Sequence, residues 1–169
     1  MEPVVRLTRP DDINAIKAMD LKCYHYPLPM KSWQALINGS GKKDQARIVM
    51  TEVYRKPAGF AMWAADESGD FCTLHRVGVL PKFRRNGLGT VLVAACVRHC
   101  FENDIAKVRV IVPDIHCCPG EVDDVSGFLN ACDFKTTGEI ISEFKTMYGD
   151  LVDGYVFERG THYAVTIQR

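Results

Sequence analysis

Apolar and polar positions change period several times along the chain, and the changes mark out its elements. Alternation, or a short apolar run between turn residues, predicts strands over residues 4–7, 48–54, 58–65, 71–79, 108–112, 136–144 and 155–167. Apolar residues three and four apart predict helices. Ile13, Ile16, Ala18 and Met19 lead toward Cys23, and Trp33, Leu36 and Ile37 follow. Leu88, Val91, Leu92, Ala95 and Cys96 form the stripe of a longer helix running to about Asn103. A fourth helix is predicted over residues 123–131, with Gly127 as a weak point inside it.

Turn and cap residues divide these runs. Asp11, after Pro10, is expected to cap the first helix, which the segment Tyr24-His25-Tyr26-Pro27-Leu28-Pro29 then breaks. Ser32 is expected to cap the second helix and Asn38-Gly39-Ser40-Gly41 to end it. Arg55-Lys56-Pro57 and Asp66-Glu67-Ser68-Gly69-Asp70 read as hairpin turns that join three strands into a meander. Residues 108–112 are mostly apolar and suit a parallel strand reached by a helical crossover. The expected fold is α/β of the α+β kind, a mixed, mostly antiparallel central sheet of about seven strands flanked by about four helices. With 169 residues, 47% of them hydrophobic, and no internal repeat, the chain can bury about 70% of its unfolded surface in one core. Residues 1–169 are therefore expected to form a single domain.

One junction carries chemistry. The strand ending Val77-Gly78-Val79 runs through Leu80-Pro81-Lys82-Phe83 into Arg84-Arg85-Asn86-Gly87-Leu88-Gly89-Thr90, where the long helix opens. A helix start presents unpaired N–H groups and the positive end of its dipole, so this order builds an anion cradle. Gly87 and Gly89 let a phosphate approach the backbone, and Arg84 and Arg85 add charge at the rim. The glycine spacing is neither that of a dinucleotide-binding turn nor that of a P-loop.

Arg84-x-x-Gly87-x-Gly89 after an apolar strand resembles the acetyl-CoA signature [RQ]-x-x-G-x-[GA] of the GNAT superfamily of N-acetyltransferases, and Leu80-Pro81-Lys82-Phe83 is similar to that family's x-P-x-[YF] lead-in. The likeness extends along nearly the whole chain. Gly59-Phe60-Ala61-Met62-Trp63 resembles the family's G-x-A strand, and Phe128-Leu129-Asn130-Ala131-Cys132-Asp133-Phe134 its F-[YF]-x-x-x-G-F signature. More loosely, Cys23-Tyr24-His25-Tyr26-Pro27 and Asp153-Gly154-Tyr155-Val156-Phe157 resemble segments of the ribosomal-protein-alanine N-acetyltransferases.

The resemblance implies acetyl-CoA as cosubstrate, and no metal is expected from the cysteine spacing. Val77, Gly78 and Val79 would hold the pantetheine and polarise the thioester carbonyl, and Arg84, Arg85, Asn86, Gly87, Leu88, Gly89 and Thr90 would hold the phosphates. It also implies a primary amine as acceptor, attacking directly in a ternary complex. The family's usual proton carriers are replaced. Leu129 stands where many members have a tyrosine that protonates the thiolate, and Ile111 where the alanine N-acetyltransferases have a glutamate base. Asp133 replaces the glycine before Phe134, a position that an aspartate in the left-handed conformation can fill.

His75 is the best candidate base. It shares an alternating face with Thr73, Val77 and Val79, its imidazole titrates near neutral pH, and Thr73-Leu74-His75 resembles the same segment of the arylalkylamine N-acetyltransferases. Asp114 and His116 are weaker candidates, Tyr148 is a thin candidate acid, and no acid is assigned. A protein or peptide α-amine is the expected acceptor. At pH 7 its deprotonation costs about 1 to 1.4 kcal/mol against about 4.6 for lysine. The alternatives are a small-molecule amine acceptor, or a degenerate domain that serves as a binding or structural module.

Composition narrows the partners. Lys plus Arg and Asp plus Glu both number 21, so no global field draws nucleic acid or a membrane surface. Seven cysteines, without paired C-x-x-C spacing, argue against a disulfide framework or a standard zinc site, and His116-Cys117-Cys118 is not expected to hold an ion. Neither a signal peptide nor an 18-residue apolar run occurs, so a cytoplasmic location is expected.

Overall fold

The computed structural model describes all residues except 1, 25–26, 43–44, 114–124, 146–150 and 163–169. Its strands are β1 (Val4–Leu7), β2 (Arg47–Val53), β3 (Lys56–Ala65), β4 (Phe71–Val79), β5 (Lys107–Pro113), β6 (Lys135–Lys145) and β7 (Leu151–Gly160). Its helices are α1 (Ile13–Cys23), α2 (Met30–Gly39), α3 (Leu88–Glu102) and α4 (Val125–Ala131). The strands follow the order β1-β2-β3-β4-β5-β7-β6 in one mixed sheet. β4 and β5 run parallel over Phe71–Thr73 and Lys107–Arg109, while β1 with β2, β2 with β3, β5 with β7 and β6 with β7 are antiparallel. The α+β sheet expected from periodicity is therefore the one formed.

The chain divides into two compact units, Met1–Ala65 with Leu74–Cys96, and Asp66–Thr73 with Val97–Arg169. In the first, α1 and α2 bury Ile16, Met19, Trp33 and Ile37 against Ile48, Met50 and Phe60 of β2 and β3. The Trp33 and Phe60 rings meet edge to face at 5.7 Å, an arrangement their quadrupoles favour. β3 and β4 approach closely because both carry glycine. A Cβ at Gly59 would lie 2.7 Å from the Gly78 carbonyl, and one at Gly78 would lie 2.7 Å from Phe60 Cε1 and 3.1 Å from Cys23 Cβ. The second unit packs β5, β7 and α4 around Val108, Val112, Leu129, Phe134 and Val156, all buried.

Several boundaries differ from those expected. A 3-10 turn over Pro10–Asp12 precedes α1, whose N-cap is Asp12 and not Asp11. The Asp12 carboxylate instead accepts hydrogen bonds from Arg9 N at 2.7 Å and from Arg6 at 2.7 and 2.9 Å. Helix α2 begins at Met30 behind Pro29, so Ser32 lies inside it. A tertiary anchor sets that start: the Asp20 carboxylate accepts from Leu28 N at 2.7 Å and from Trp33 Nε1 at 2.9 Å.

The first hairpin turns at Tyr54-Arg55, with φ of 52° and 59°, and Lys56 and Pro57 already belong to β3. Two positive φ values in a two-residue loop suit the twist of the flanking strands, even without Asn or Gly to mark it. The second turn falls at Asp66–Asp70 as expected, with Gly69 at φ 76°. β7 starts at Leu151 and ends at Gly160, earlier at both ends than residues 155–167; its start is set by Gly154, paired with Pro113 of β5 and Ile141 of β6, and by Val152 and Leu151, paired with Phe144 and Lys145 of β6. Residues 163–167 of that expectation, and 123–124 of the fourth helix, lie outside the described residues.

Candidate active site

β4, the turn after it and the start of α3 place the expected cradle residues in one continuous stretch of the first unit. β4 hands over to a 3-10 turn at Pro81–Phe83, tied to β3 by a bond from Leu80 N to Ala58 O at 2.9 Å. Arg84 folds back so that its Nε donates to the Val79 carbonyl at 2.9 Å, and Asn86 Nδ2 donates to Arg84 O at 3.1 Å. Arg84 thus braces the loop against β4, while Arg85, exposed and at φ 65°, is the cation free to face solvent on the rim. A non-glycine residue in this conformation costs about 1–2 kcal/mol, strain that cores avoid and ligand-holding loops retain.

Gly87 takes φ 76° and its missing Cβ would meet no atom within 4 Å, so the loop keeps open space where a phosphate needs close approach. Val91 N donates to Gly87 O at 3.0 Å, which leaves Leu88, Gly89 and Thr90 as the first three helical residues without intrahelical acceptors for their N–H groups. The 15-residue α3 aims its positive end at the same point. Open glycine space, three free helical donors and an arginine rim fit a polyphosphate.

His75 lies on β4 two residues before Val77. It is exposed and its ring makes no hydrogen bond among the described residues. Partial desolvation by the surrounding protein, and secondarily the Arg76 charge, hold its pKa below the ordinary imidazole value. The shift favours the neutral ring, the form that can accept a proton. Leu129, at the family's tyrosine position, is buried, and Ile111 is half-buried in β5; neither carries a proton. Asp114, His116, Cys117, Cys118 and Tyr148 lie outside the described residues.

The Val77 edge holds a group that the motif did not reveal. The Tyr24 hydroxyl accepts from Val77 N at 2.7 Å and donates to Val77 O at 2.9 Å. Arg76 lies over the Tyr24 ring at 4.4 Å and pairs through Nη1 with Asp20 Oδ1 at 2.5 Å. Asp20 is fully buried, and its carboxylate thereby joins α1, the connection to α2, and β4. One sequence signal pointed to it. Asp20 stands four residues after Ile16 on the apolar stripe of α1, where an acid needs a partner.

Residues 13–116 match the model of the acetyltransferase (GNAT) family. Among solved structures, the ribosomal-protein-S18-alanine N-acetyltransferase from Escherichia coli is similar at 16% identity and TM-score 0.74, covering 99% of both chains. Ard1 from Thermoplasma volcanium is similar at 18% identity and TM-score 0.76, covering 95% of this chain and 98% of its own. The putative acetyltransferase yncA from Salmonella typhimurium, solved with acetyl-CoA, is similar at 11% identity and TM-score 0.74, covering 97% and 96%. No curated protein matches the chain by sequence. The chain belongs to the GNAT acetyltransferase family and is an acetyl-CoA-dependent N-acetyltransferase. Among the described residues, no helix is long and apolar enough to cross a membrane.

Proposed function

We propose that this enzyme acetylates the α-amine of a protein or peptide in the cytoplasm, by direct attack in a ternary complex and without nucleic acid, membrane or metal. The whole chain, residues 1–169, acts as the acetyltransferase domain. Acetyl-CoA supplies the acetyl group as an activated thioester. Arg85 and the N–H groups of Leu88, Gly89 and Thr90 bind its phosphates, Gly87 leaves room for them, and Arg84 and Asn86 hold the loop in shape. The main chain of Val77, Gly78 and Val79 orients the pantetheine and carbonyl.

His75 takes a proton from the acceptor ammonium, directly or through one water, so that the neutral amine attacks the thioester carbonyl; the C–N bond forms as the C–S bond breaks, and the departing thiolate is protonated by water, which takes up the proton lost from the amide nitrogen. The observation that carries this reading is the exposed His75 on β4, two residues before Val77, with its pKa held below the ordinary imidazole value chiefly by desolvation. Such a base can deprotonate an amine of pKa near 7.7–8 far more readily than a lysine side chain near 10.4. The E. coli neighbour, named for an alanine of a ribosomal protein, lends support from the same fold.

Peptide libraries incubated with enzyme and acetyl-CoA should gain acetyl groups at their N-termini, as read by mass spectrometry. Label confined to lysine side chains or to small polyamines would instead establish the small-amine reading.

A further inference from the structure

Tyr24 performs a task that a neighbouring strand performs elsewhere in a sheet. Its hydroxyl satisfies both the N–H and the C=O of Val77, at 2.7 and 2.9 Å, and these are the groups a ladder partner would use. The parallel register of β4 with β5 ends at Thr73, four residues earlier.

The placement is built, not incidental. Gly78 lets the end of α1 come close enough, since a Cβ there would collide with Phe60 and press on Cys23. Arg76 stacks on the Tyr24 ring and is fixed by the buried Asp20. Tyr24 itself is the C-cap of α1, extended at φ −129° and ψ 136°, with its backbone N–H still bonded to Asp20 O.

A single N–H cannot serve the Tyr24 oxygen and a ligand at once. We propose that Tyr24 is a displaceable cap on β4, leaving Val77 when acetyl-CoA binds, and is thereby a positioning residue that sets affinity for the cosubstrate. This rests on the reading of the Val77–Val79 main chain as the cosubstrate's anchor. Hydrogen bonds exchanged for hydrogen bonds differ little in free energy, so the swap is feasible at modest cost. Burial pushes the Tyr24 hydroxyl up to about 12, so the cap stays protonated and does not respond to pH between 6 and 9.

Calorimetric titration with acetyl-CoA tests the cap. Tyr24→Phe keeps the ring and removes the competitor, so its Kd should fall about tenfold at every pH from 6 to 9, with KM for acetyl-CoA falling in step and kcat nearly unchanged. In the wild type, the ¹³C resonance of Tyr24 Cζ should shift on saturation as the hydroxyl leaves Val77. Equal or weaker binding by Tyr24→Phe, or an unmoved Cζ resonance, overturns the proposal. If the variant fails to fold, the wild-type resonance decides alone. Should wild type not bind at millimolar acetyl-CoA, or Gly87→Val bind as well as wild type, the reading of β4 and the following loop as the cosubstrate site is wrong and the cap falls with it. That result is distinct from one in which both behave as expected and only Tyr24→Phe does not.

Discussion

His75, on β4, and Tyr24, bonded to Val77 of β4, were not equally visible. His75 stands out because alternation alone puts it on the Val77 and Val79 face. Tyr24 does not, because its partner is main chain 53 residues away and no side-chain type signals that bond. The depressed His75 pKa also gives a direction for activity. Turnover should rise with pH through an apparent value below the ordinary 6.5 and be flat above it. His75→Ala should cost about 10²–10⁴ in turnover at neutral pH and leave acetyl-CoA affinity nearly unchanged; His75→Gln, similar in size but unable to titrate, should lose as much. Near wild-type turnover in both at pH 6.5, with chemistry rate-limiting, would make His75 structural. Stability follows the same sign. The unfolded chain binds this proton more tightly, so stability increases as pH rises from the folded pKa to the unfolded one, and His75→Gln should remove that slope in denaturant titrations.

Element boundaries were legible where local chemistry sets them and lost where packing does. β1 and β4 formed over the expected residues, and Asp133 took φ 66° in the Schellman closure of α4, with Phe134 N donating to Leu129 O at 3.0 Å. By contrast, α2 starts where Asp20 catches Leu28 and Trp33, and the first hairpin turns on two residues without turn chemistry. The β3–β4 approach offers a quantitative check. Gly59→Ala puts a methyl 2.7 Å from the Gly78 carbonyl, a backbone atom that cannot rotate aside, and should destabilise by about 1–3 kcal/mol in urea titrations. Gly69→Ala, at φ 76° with no atom within 4 Å, meets only backbone strain and should cost about 1–2 kcal/mol. If Gly59→Ala costs nothing, close strand approach is not what glycine provides there. Gly87→Ala should separate strain from ligand loss, folding with a penalty similar to that of Gly69→Ala yet gaining less stability from acetyl-CoA than wild type.

Over the whole molecule, acetyl-CoA at about 100 times its dissociation constant should add about 2.7 kcal/mol to folding stability, measured as a thermal shift. Because formal net charge is zero, that affinity comes from a local cradle, and added salt should weaken it without greatly changing the stability of the free protein. A wild type showing no shift at millimolar acetyl-CoA would contradict binding at this loop. Periodicity and turn residues were enough to predict the element order and the mixed sheet that formed, and the glycine spacing to place a turn with open space at Gly87 between β4 and α3. Each of these depends on residues close together in the chain, whose conformational preferences are written locally. The occupant of the Val77 edge, the service of Arg84 as a brace and the start of α2 were settled in three dimensions. Hydroxyl to main chain and buried carboxylate to indole are bonds across the fold, formed because buried polar groups must find partners wherever the packed chain brings them, while the Arg84 guanidinium reaches a carbonyl five residues back only because the turn between them folds it there.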